Sequence, residues 1–529
     1  MALIAAPLLS VVTPVYEPPV DVLRETIASV RAQSFDDWEL ILVDDCSPNP
    51  GVRDIIRAVA REDPRVRVIE RATNGGIVRA SNDAIEAAWG TFVVLLDHDD
   101  QLAVDAFATL VPVLASAEDI DYVYTDEDKI DLDGRHVEPF AKPDWSPERL
   151  RHQMYTGHMS VIRTSLARSL GGFRDGFDGS QDHDLVLRVT ENSRRIVHIP
   201  KVLYHWRIVP GSTAGDSDAK PYSWEAGRRA VDEHLERVGI QGEAVLGPVA
   251  GTYRIRRRLD DETRVSIIIP TRGSSGFVWG EQRCFVVEAA RSIMATCSLP
   301  NLEVVVVYDT VTPASVLDSL RRVVGDSLRL VRFDEPFNFS AKCNAGFVAS
   351  TGDVVVFLND DVQFVNDETI QTLVAPLREP DVGMVGARLL FEDGRLQHGG
   401  HVYGNGGWYH ASFRAEEGDH GPFRALLIGR EVIGLTAACM AMRRPTYEEV
   451  GGMCELLPMN FNDVDLSYKV RRAGYRLLWF PEVTLYHFES QTREPGIEPW
   501  EPHLVALRWG IPDVDPYFPH ESGLHSVTE

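Results

Sequence analysis

The sequence predicts an α/β fold with two doubly wound domains in tandem, and three observations predict it. Short apolar runs rich in β-branched residues alternate with segments whose apolar residues recur at helical spacing, which is typical of βαβ units around a parallel sheet. Several of these runs end abruptly in carboxylates, at the position where open α/β sheets bind ligands. The whole pattern starts again near Val265, so the 529-residue chain carries the same unit twice.

Strands and helices alternate in the first hundred residues. The predicted strands are 8–15, 38–43, 66–69 and 92–96. The helices between them are indicated by three apolar sets: Leu23, Ile27, Val30; Ile55, Ile56, Val59; and Ile77, Ala84, Ala88.

The stretch Asp97-His98-Asp99-Asp100 follows the fourth predicted strand, and the rest of the first domain is organised around it. Three carboxylates this close repel one another unless a cation joins them. Mg²⁺ or Mn²⁺ takes oxygen ligands and shares them with substrate phosphates. The alternative is a strand end followed by acidic residues that cap the next helix. Taken alone, the stretch leaves both interpretations open.

The alternation weakens after Asp100. The predicted features are a short strand at 122–128, a substrate-facing loop at 140–147, a helix that ends at Gly171-Gly172, a helix that begins near Asp182, and a linker at 210–218. The next helix has Trp224, Val231, Leu235 and Val238 on one face. The basic run Tyr253–Arg258 is interpreted as a solvated strand edge, with contact to a lipid phosphate as the alternative.

The second half repeats the first in order. Residues 265–271, 303–309 and 353–361 repeat the patterns of 9–15, 39–45 and 91–99. Asp182 and Asp463 are farther apart than the earlier matched pairs, which places an insertion at Leu389–Arg430 in the second copy. We expect Trp408, Tyr409 and His410 of this insertion to stack on sugar rings; the alternative is that they only fill the inserted loop. The predicted domains are 1–215, a linker of helix and basic strand at 216–262, a second domain at 263–500, and a tail at 501–529 that packs on the second domain.

Polar residues recur at matching positions in both copies. They are Asp45 and Asp309 after the second strand; Asp97, Asp99 and Asp100, and Asp360 and Asp361, after a later strand; Asp182 and Asp463 at a helix start; and His205 and His487 after a late strand. Solvated surface does not explain such a recurrence in divergent copies. The clusters could hold a cation that neutralises a departing nucleotide diphosphate. A carboxylate held off the metal could act as general base. Asp45 and Asp309 could instead be turn formers, and the two histidines packed side chains.

Composition narrows the possible partners and locations. The net charge of −26 argues against nucleic acid as the main partner. Six scattered cysteines form no CxxC pair, so they suggest neither a cysteine zinc site nor a disulfide framework, and a reducing cytoplasm is expected. Without a positive n-region or an apolar run of about 18 residues, the sequence predicts neither a signal peptide nor a transmembrane helix. We expect any membrane contact to be peripheral, at the inner face of the plasma membrane.

These motifs, in series, resemble the family-2 inverting glycosyltransferases of the GT-A fold. The resemblance rests on Thr13-Pro-Val-Tyr16, Val43-Asp-Asp-Cys-Ser47, Asn74-Gly-Gly, Asp97-His-Asp-Asp100 and Gln181-Asp-His-Asp-Leu185, and covers about residues 8–210 and 263–490. The stretches Tyr124–Pro147 and Gly451–Asp465 resemble the subgroup that builds bacterial surface polysaccharides, including rhamnose-containing O-antigen-type chains.

The resemblance implies a role for each recurring residue. Asp182 and Asp463 would be the catalytic bases. Asp99, Asp361, His205 and His487 would hold Mg²⁺ or Mn²⁺. The nucleotide-sugar donor would be bound by Thr13, Pro14, Tyr16, Asp45, Asp97, Thr271, Asp309 and Asp360. The sequence departs from the family pattern at a few positions: Asn359 replaces the first aspartate of the metal motif, and Gln181 and Asn462 precede the bases where an acidic residue is common. These departures affect the expected nucleotide preference of the second copy more than its expected activity.

The sequence therefore predicts a bifunctional, metal-dependent glycosyltransferase with a glycan or lipid-linked glycan as acceptor. One alternative is that a single domain is catalytic while the other binds glycan or acts as a scaffold. Another alternative is a sugar nucleotidyltransferase, although Thr13-Pro-Val-Tyr-Glu-Pro-Pro lacks the glycine-rich basic loop typical of that class.

Overall fold

The computed structural model describes residues 6–208, 221–404, 406–488, 496–519 and 525–526 and shows an α/β fold in each of two units, Met1–Ile255 and Arg256–Glu529. The fold class predicted from the sequence is confirmed. The predicted linker at 210–218 lies outside the described residues. The predicted domain limits stay predictions.

Strands and helices alternate along the first unit and its last hairpin. The strands are β1 (Leu9–Val15), β2 (Trp38–Asp44), β3 (Val66–Glu70), β4 (Phe92–Leu95), β5 (Gln101–Leu102), β6 (Ile120–Ile130), β7 (His136–Phe140), β8 (Ser160–Arg163), β9 (Arg195–Arg207), β10 (Gly242–Leu246) and β11 (Tyr253–Arg257). The helices are α1 (Val20–Arg31), α2 (Pro50–Glu62), α3 (Ile77–Ala87), α4 (Ala106–Ala115), α5 (Pro147–His152), α6 (Thr164–Ser169), α7 (Gln181–Asn192) and α8 (Pro221–Val238).

The second unit repeats this alternation with additional strands. Its strands are β12 (Val265–Thr271), β13 (Ser275–Val278), β14 (Glu281–Cys284), β15 (Leu302–Asp309), β16 (Leu328–Phe333), β17 (Val354–Leu358), β18 (Val362–Phe364), β19 (Val382–Leu390), β20 (Leu396–His398), β21 (His401–Gly404), β22 (Gly407–His410), β23 (Arg430–Glu431), β24 (Cys439–Arg443), β25 (Arg476–His487) and β26 (His525–Ser526). Its helices are α9 (Phe285–Thr296), α10 (Ala314–Val324), α11 (Phe339–Ala349), α12 (Thr369–Val374), α13 (Arg444–Glu449), α14 (Asn462–Arg472) and α15 (Trp500–Trp509).

The two main sheets have the same strand order. The first is β3-β2-β1-β4-β8-β6-β9-β5, with β7 on β6; the second is β16-β15-β12-β17-β24-β19-β25-β18, with β20 on β19 and β23 on β25. The first four strands of each order run parallel, and the fifth is antiparallel to the fourth. The carboxyl ends of the parallel strands therefore meet at one edge of each sheet, where the acidic clusters follow β4 and β17.

A buried polar contact is also repeated between the copies. The Ser10 hydroxyl donates to Glu39 over 2.6 Å, and the Ser266 hydroxyl donates to Glu303 over the same distance. Each serine oxygen also accepts from the backbone N–H of the glycine before the next central strand, Gly90 in one unit and Gly352 in the other, at 2.8 Å. The internal repeat therefore extends to buried polar contacts.

Local chemistry explains the helices beside these sheets. Leu23, Ile27 and Val30 of α1 are buried against β1 and β2, as their spacing predicts. The Asn49 side chain caps α2 by accepting from the N–H of Gly51 at 3.0 Å, with Pro50 at the first helical position. In the second unit, the Asn338 side chain caps α11 in the same way.

Four details differ from the sequence prediction or complete it. β6 has 11 residues, more than the predicted short strand, because it continues into a hairpin with β7. The loop before α5 turns Lys142 into the protein, where it is 1% exposed. Helix α8 packs on α7, yet its Val238 is exposed and lies off the buried face. The run at Tyr253 forms β11 in a hairpin with β10, which confirms the strand interpretation.

The described part of the tail packs on the second unit, as predicted. Val505 of α15 is buried beside Tyr403 and Val464, and the Glu501 carboxylate accepts from Asn460. Among the described residues, we find no helix that combines the length and the apolar character needed to cross a membrane.

Candidate active sites

Five of the six predicted site residues of the second unit line one cavity at the carboxyl edge of its sheet. The cavity has a volume of about 420 Å³. Among its lining residues are Thr271, Asp360, Asp361, Asp463 and His487, all of them singled out by the sequence. They come from the end of β12, the segment after β17, the first turn of α14 and the end of β25. The strand order therefore brings together residues that are up to 216 positions apart in the sequence.

His487 and Asp361 face each other in this cavity. His487 Nε2 lies 3.2 Å from Asp361 Oδ1, and the Asn359 amide lies 3.1 Å from the same nitrogen. On the other side of the ring, Nδ1 is 2.7 Å from the Gln397 amide oxygen. Since that oxygen can only accept, Nδ1 donates its proton to it, and the lone pair of Nε2 is left to accept from the Asn359 amide or to bind a cation placed between the ring and Asp361. An imidazole held in this way beside a carboxylate fits a divalent cation.

Asp360 lies next to this pair and accepts from the Thr271 hydroxyl over 2.6 Å. Burial and the neighbouring charge of Asp361 raise the pKa of Asp360 to about 7, despite that hydrogen bond. Two adjacent carboxylates therefore resist carrying full charge together. A bound Mg²⁺ or Mn²⁺ would remove the repulsion, so these donors fit the ions predicted from the sequence.

Asp309 forms an ion pair with a buried lysine. Lys342 Nζ lies 2.8 Å from Asp309 Oδ1 and 2.8 Å from the carbonyl oxygen of Thr271, and its side chain is 1% exposed. Asp309 thus anchors the lysine at the end of β12, while the lysine also lines the cavity. The predicted nucleoside contact of Asp309 stays a prediction.

Asp463 is the second residue of α14 and is half-buried in the cavity wall. Its carboxylate accepts from the backbone N–H of Val464 at 2.8 Å and of Ala437 at 3.3 Å. Burial raises its pKa, and these two N–H groups oppose the rise. A carboxylate with a raised pKa in a cleft has the properties required of a general base.

The acidic cluster of the first unit groups with a histidine that the sequence did not single out. Asp97, Asp100 and His158 each place a possible ligand atom within 4.8 Å of the others. Asp100 is buried and accepts from the Tyr204 hydroxyl at 2.5 Å and from the Arg207 backbone N–H at 2.8 Å. Burial and the charge of Asp97 raise the pKa of Asp100 well above its usual range. Burial also raises the pKa of the half-buried Asp99.

His205 is held by another carboxylate. Its Nδ1 lies 2.6 Å from Asp128, whose second oxygen lies 3.1 Å from His136. These three residues form another group with possible ligand atoms within 4.8 Å. His487 therefore lies beside Asp361 in the second unit, whereas in the first unit His205 contacts Asp128. The metal-binding roles of Asp99 and His205 stay predictions.

Asp182 and Asp45 occupy opposite environments in the first unit. Asp182 lies on the first turn of α7 and is exposed. Desolvation by surrounding protein atoms and the charge of Asp97 nevertheless raise its pKa to about 6, and the charge of His158 opposes the rise. Asp45 is buried and accepts from the backbone N–H groups of Gly75 and Gly76, both at 2.8 Å. Asp45 thereby fixes the turn that begins α3.

The remaining predicted contacts lie along β1 and just after it. Thr13 is buried, and its hydroxyl has no hydrogen-bond partner among the described residues. The Pro14 carbonyl lies 3.1 Å from His98 Nδ1, which ties β1 to the acidic cluster. Tyr16 is exposed. The donor-binding roles of all three stay predictions.

Comparison with known proteins identifies the family. The family model described as "Glycosyl transferase family 2" matches residues 10–171 and 266–451, one stretch in each of the two units. The chain belongs to glycosyl transferase family 2. The resemblance read from the motifs is thereby confirmed, and so is the prediction that the chain is a glycosyltransferase.

Several relatives of this glycosyltransferase are longer proteins. It is 42% identical over 494 residues to the uncharacterized protein y4gI of Sinorhizobium fredii, covering 92% of this chain and 54% of that protein. It is 35% identical over 521 residues to the O-antigen biosynthesis protein RfbC of Myxococcus xanthus, covering 97% of this chain and 40% of that protein. The chain thus spans about half the length of these curated relatives, or less.

Solved structures similar to this glycosyltransferase include residues 1–349 of S. aureus TarS in complex with UDP. That match has 20% sequence identity and a TM-score of 0.34, and it covers 44% of this chain and 71% of the other.

The glycosyltransferase also contains a buried charge group that motif reasoning missed. Lys142 Nζ lies 2.9 Å from Glu127, whose carboxylate also accepts from the backbone N–H of His158 at 2.8 Å. Burial alone would raise the pKa of Glu127, but Lys142 and His158 lower it to about 2. Burial alone would lower the pKa of His158, but Glu127 raises it to about 9. A protonated histidine is therefore held beside Asp97 and Asp100.

We expect Glu127→Gln to destabilise the first unit by about 3–5 kcal/mol, because it leaves the Lys142 ammonium buried without its counter-ion. The measurement is the urea dependence of unfolding followed by circular dichroism. Glu138→Gln is the matched control, since Glu138 pairs with the more exposed Lys129 and should cost less than about 1 kcal/mol. Equal stability of the two variants would contradict the assignment of Glu127 as the counter-ion.

Proposed function

We propose that the chain is a bifunctional, metal-dependent, inverting glycosyltransferase of cell-surface polysaccharide synthesis. Each unit would transfer a sugar from a nucleotide-diphosphate donor to a growing, lipid-linked glycan at the inner face of the membrane. The observation that carries the proposal is the repetition of one arrangement: an acidic cluster after β4 or β17, and a carboxylate with a raised pKa in the first turn of α7 or α14. The name of the RfbC relative supports the polysaccharide assignment.

The residues divide the chemistry between them. Asp182 or Asp463 accepts the proton of an acceptor hydroxyl, whose oxygen attacks the anomeric carbon as the diphosphate leaves from the opposite face, so the configuration inverts. Asp361 and His487, and Asp99 and His205 in the first unit, would hold Mg²⁺ or Mn²⁺. When bound, this ion supplies charge stabilisation of the leaving diphosphate. Thr13, Pro14, Tyr16, Asp45 and Asp97, with Thr271, Asp309 and Asp360 in the second unit, would position the donor.

A panel of nucleotide-diphosphate sugars with Mg²⁺ or Mn²⁺ tests this function. We expect metal-dependent release of the nucleoside diphosphate and a thermal shift with at least one donor. If no member of the panel gives a metal-dependent response, the proposal is wrong. Release of pyrophosphate from a sugar phosphate and a nucleoside triphosphate would instead indicate a sugar nucleotidyltransferase.

A second candidate is that only the second unit is catalytic, with the first binding glycan or acting as a scaffold. The observation that favours it is the contact between His487 and Asp361, because the corresponding His205 contacts Asp128 instead. Separate inactivation of the two bases distinguishes the candidates.

The pH dependence of the first unit follows from the pKa of Asp182, which is raised to about 6. A general base works only when it is deprotonated, so we expect the transfer rate to fall about tenfold per pH unit below pH 6 and to be level above it. The pH profile of kcat/KM should be measured on the Asp463→Asn variant, in which the first unit alone carries a base. A profile that stays level to pH 5 in a folded protein would show that Asp182 is not the base.

A further inference from the structure

Three histidines of the insertion form a cluster on one wall of the second-unit cavity. His398 ends β20, His401 begins β21 and His410 ends β22. His401 and His410 pair directly across the β21–β22 ladder, so their side chains leave the same face. The turn through Gly399 and Gly400, whose φ of +95° favours glycine, returns the chain from His398 to His401. The sequence thus builds the cluster from one short segment.

The geometry of the rings is that of a potential ligand set. Each histidine places one ring nitrogen within 4.8 Å of the nitrogens of the other two. The ring centroids are 4.9, 5.0 and 5.1 Å apart. Nδ1 of His398 lies 2.8 Å from Nδ1 of His410, so one nitrogen donates and the other accepts. Ligand nitrogens around a tetrahedral Zn²⁺ with bonds of about 2.0–2.1 Å are roughly 3.4 Å apart, so binding needs ring movements on the order of 1 Å.

Two ring nitrogens of the cluster have no hydrogen-bond partner among the described residues. Nε2 of His398 and Nε2 of His401 are buried without a hydrogen-bond partner. An unsatisfied buried polar atom is costly, typically about 1–3 kcal/mol, and calls for a specific explanation. A metal ion bound by these rings would supply one.

The charge state of the cluster is also the one that a metal requires. Burial lowers the pKa of His401 and of His410 to about 3 and that of His398 well below its usual range. All three imidazoles are therefore neutral at pH 7, with lone pairs available for coordination.

We propose that His398, His401 and His410 bind a transition-metal ion of the Zn²⁺ class, at a site separate from the carboxylate site of Asp361. Imidazole nitrogens suit Zn²⁺, Cu²⁺, Fe²⁺ or Ni²⁺, whereas carboxylates suit Mg²⁺ and Mn²⁺, so one cavity can hold two kinds of ion. Three protein ligands leave a fourth position open. All three histidines line the same cavity as Asp463, so the bound ion would lie in the wall of the proposed acceptor site. Trp408 is buried against Phe461, whereas the stacking of Tyr409 and His410 on sugar rings stays a prediction.

Zinc binding by the full chain tests the site directly. The protein is stripped with a chelator and dialysed against ZnCl₂ in an excess of Mg²⁺, which competes for the carboxylate site, and bound zinc is counted by mass spectrometry. We expect the parent chain to bind one Zn²⁺ that His401→Gln and His410→Gln bind at least about a hundredfold more weakly. His420→Gln, at an exposed histidine of the same insertion, should bind as the parent does.

Three outcomes would overturn the proposal: no zinc bound by the parent chain, equal binding by the histidine variants, or loss of binding in Asp361→Asn alone. A second measurement uses only the parent chain, so it does not require that any variant folds. The parent chain loaded with Co²⁺ should show the intense visible absorption of a low-coordinate, nitrogen-ligated ion. The weak absorption of an octahedral, oxygen-ligated ion would place the metal elsewhere.

Discussion

Asp463→Asn is expected to lower sugar transfer by the second unit by about 10²–10⁴-fold, while Asp182→Asn lowers transfer by the first unit to the same degree. Asparagine keeps the shape of the side chain but cannot take a proton from the acceptor hydroxyl. Donor binding should change little, because these carboxylates lie on α14 and α7 and not in the acidic clusters. The measurement is the rate of formation of each linkage product with a donor found in the panel.

The two variants also decide whether the chain is bifunctional. We expect each variant to lose one linkage product and to retain the other. Asp178→Asn and Asp367→Asn, at exposed aspartates of the first and second units, are the matched controls and should leave both products unchanged. If one base variant forms every product at the parent rate, its unit is not catalytic, and the scaffold alternative holds for that unit.

The parallel halves of both sheets could be predicted from sequence because their physical signal is local. A buried parallel strand is a continuous apolar run, so 9–15 and 265–271 are recognisable without any partner. The sites could be predicted in part for the same reason, since the acidic clusters directly follow such runs. The repeat added what local patterns lack, because each position could be compared with its counterpart in the other copy.

Residues that reach the sites through tertiary structure carry no such signal. His158 lies beside Asp97 and Asp100 because the segment before β8 returns to the carboxyl edge of the sheet. The residues around His158 in the sequence form no motif that indicates a functional histidine. Gln397 fixes the tautomer of His487 from a strand 90 positions away in the sequence. The cluster of His398, His401 and His410 depends on the register of β21 and β22, which a glycine-rich segment does not specify.

Asp361→Asn is expected to abolish metal-dependent transfer by the second unit, with a loss of at least about a hundredfold. Charge stabilisation by a cation is worth several kcal/mol, and about 1.4 kcal/mol is a factor of 10 in rate. Of the carboxylates after β17, Asp361 is the one that faces His487, at 3.2 Å, whereas Asp360 is bonded to Thr271. The measurement is a titration of transfer rate with Mg²⁺ and Mn²⁺ in the Asp182→Asn background, where only the second unit acts.

Asn359→Asp is the informative partner variant, because it restores the aspartate that the first copy has at position 97. We expect it to retain metal-dependent activity, since Asp361 and His487 are unchanged.

Gln397→Ala should raise the metal concentration needed for half-maximal rate by about 10–100-fold without changing the rate at saturation, because it only releases the ring of His487. If Asp361→Asn keeps its response to Mg²⁺ and Mn²⁺, the cation lies elsewhere, and the pairing of Asp361 with His487 is structural.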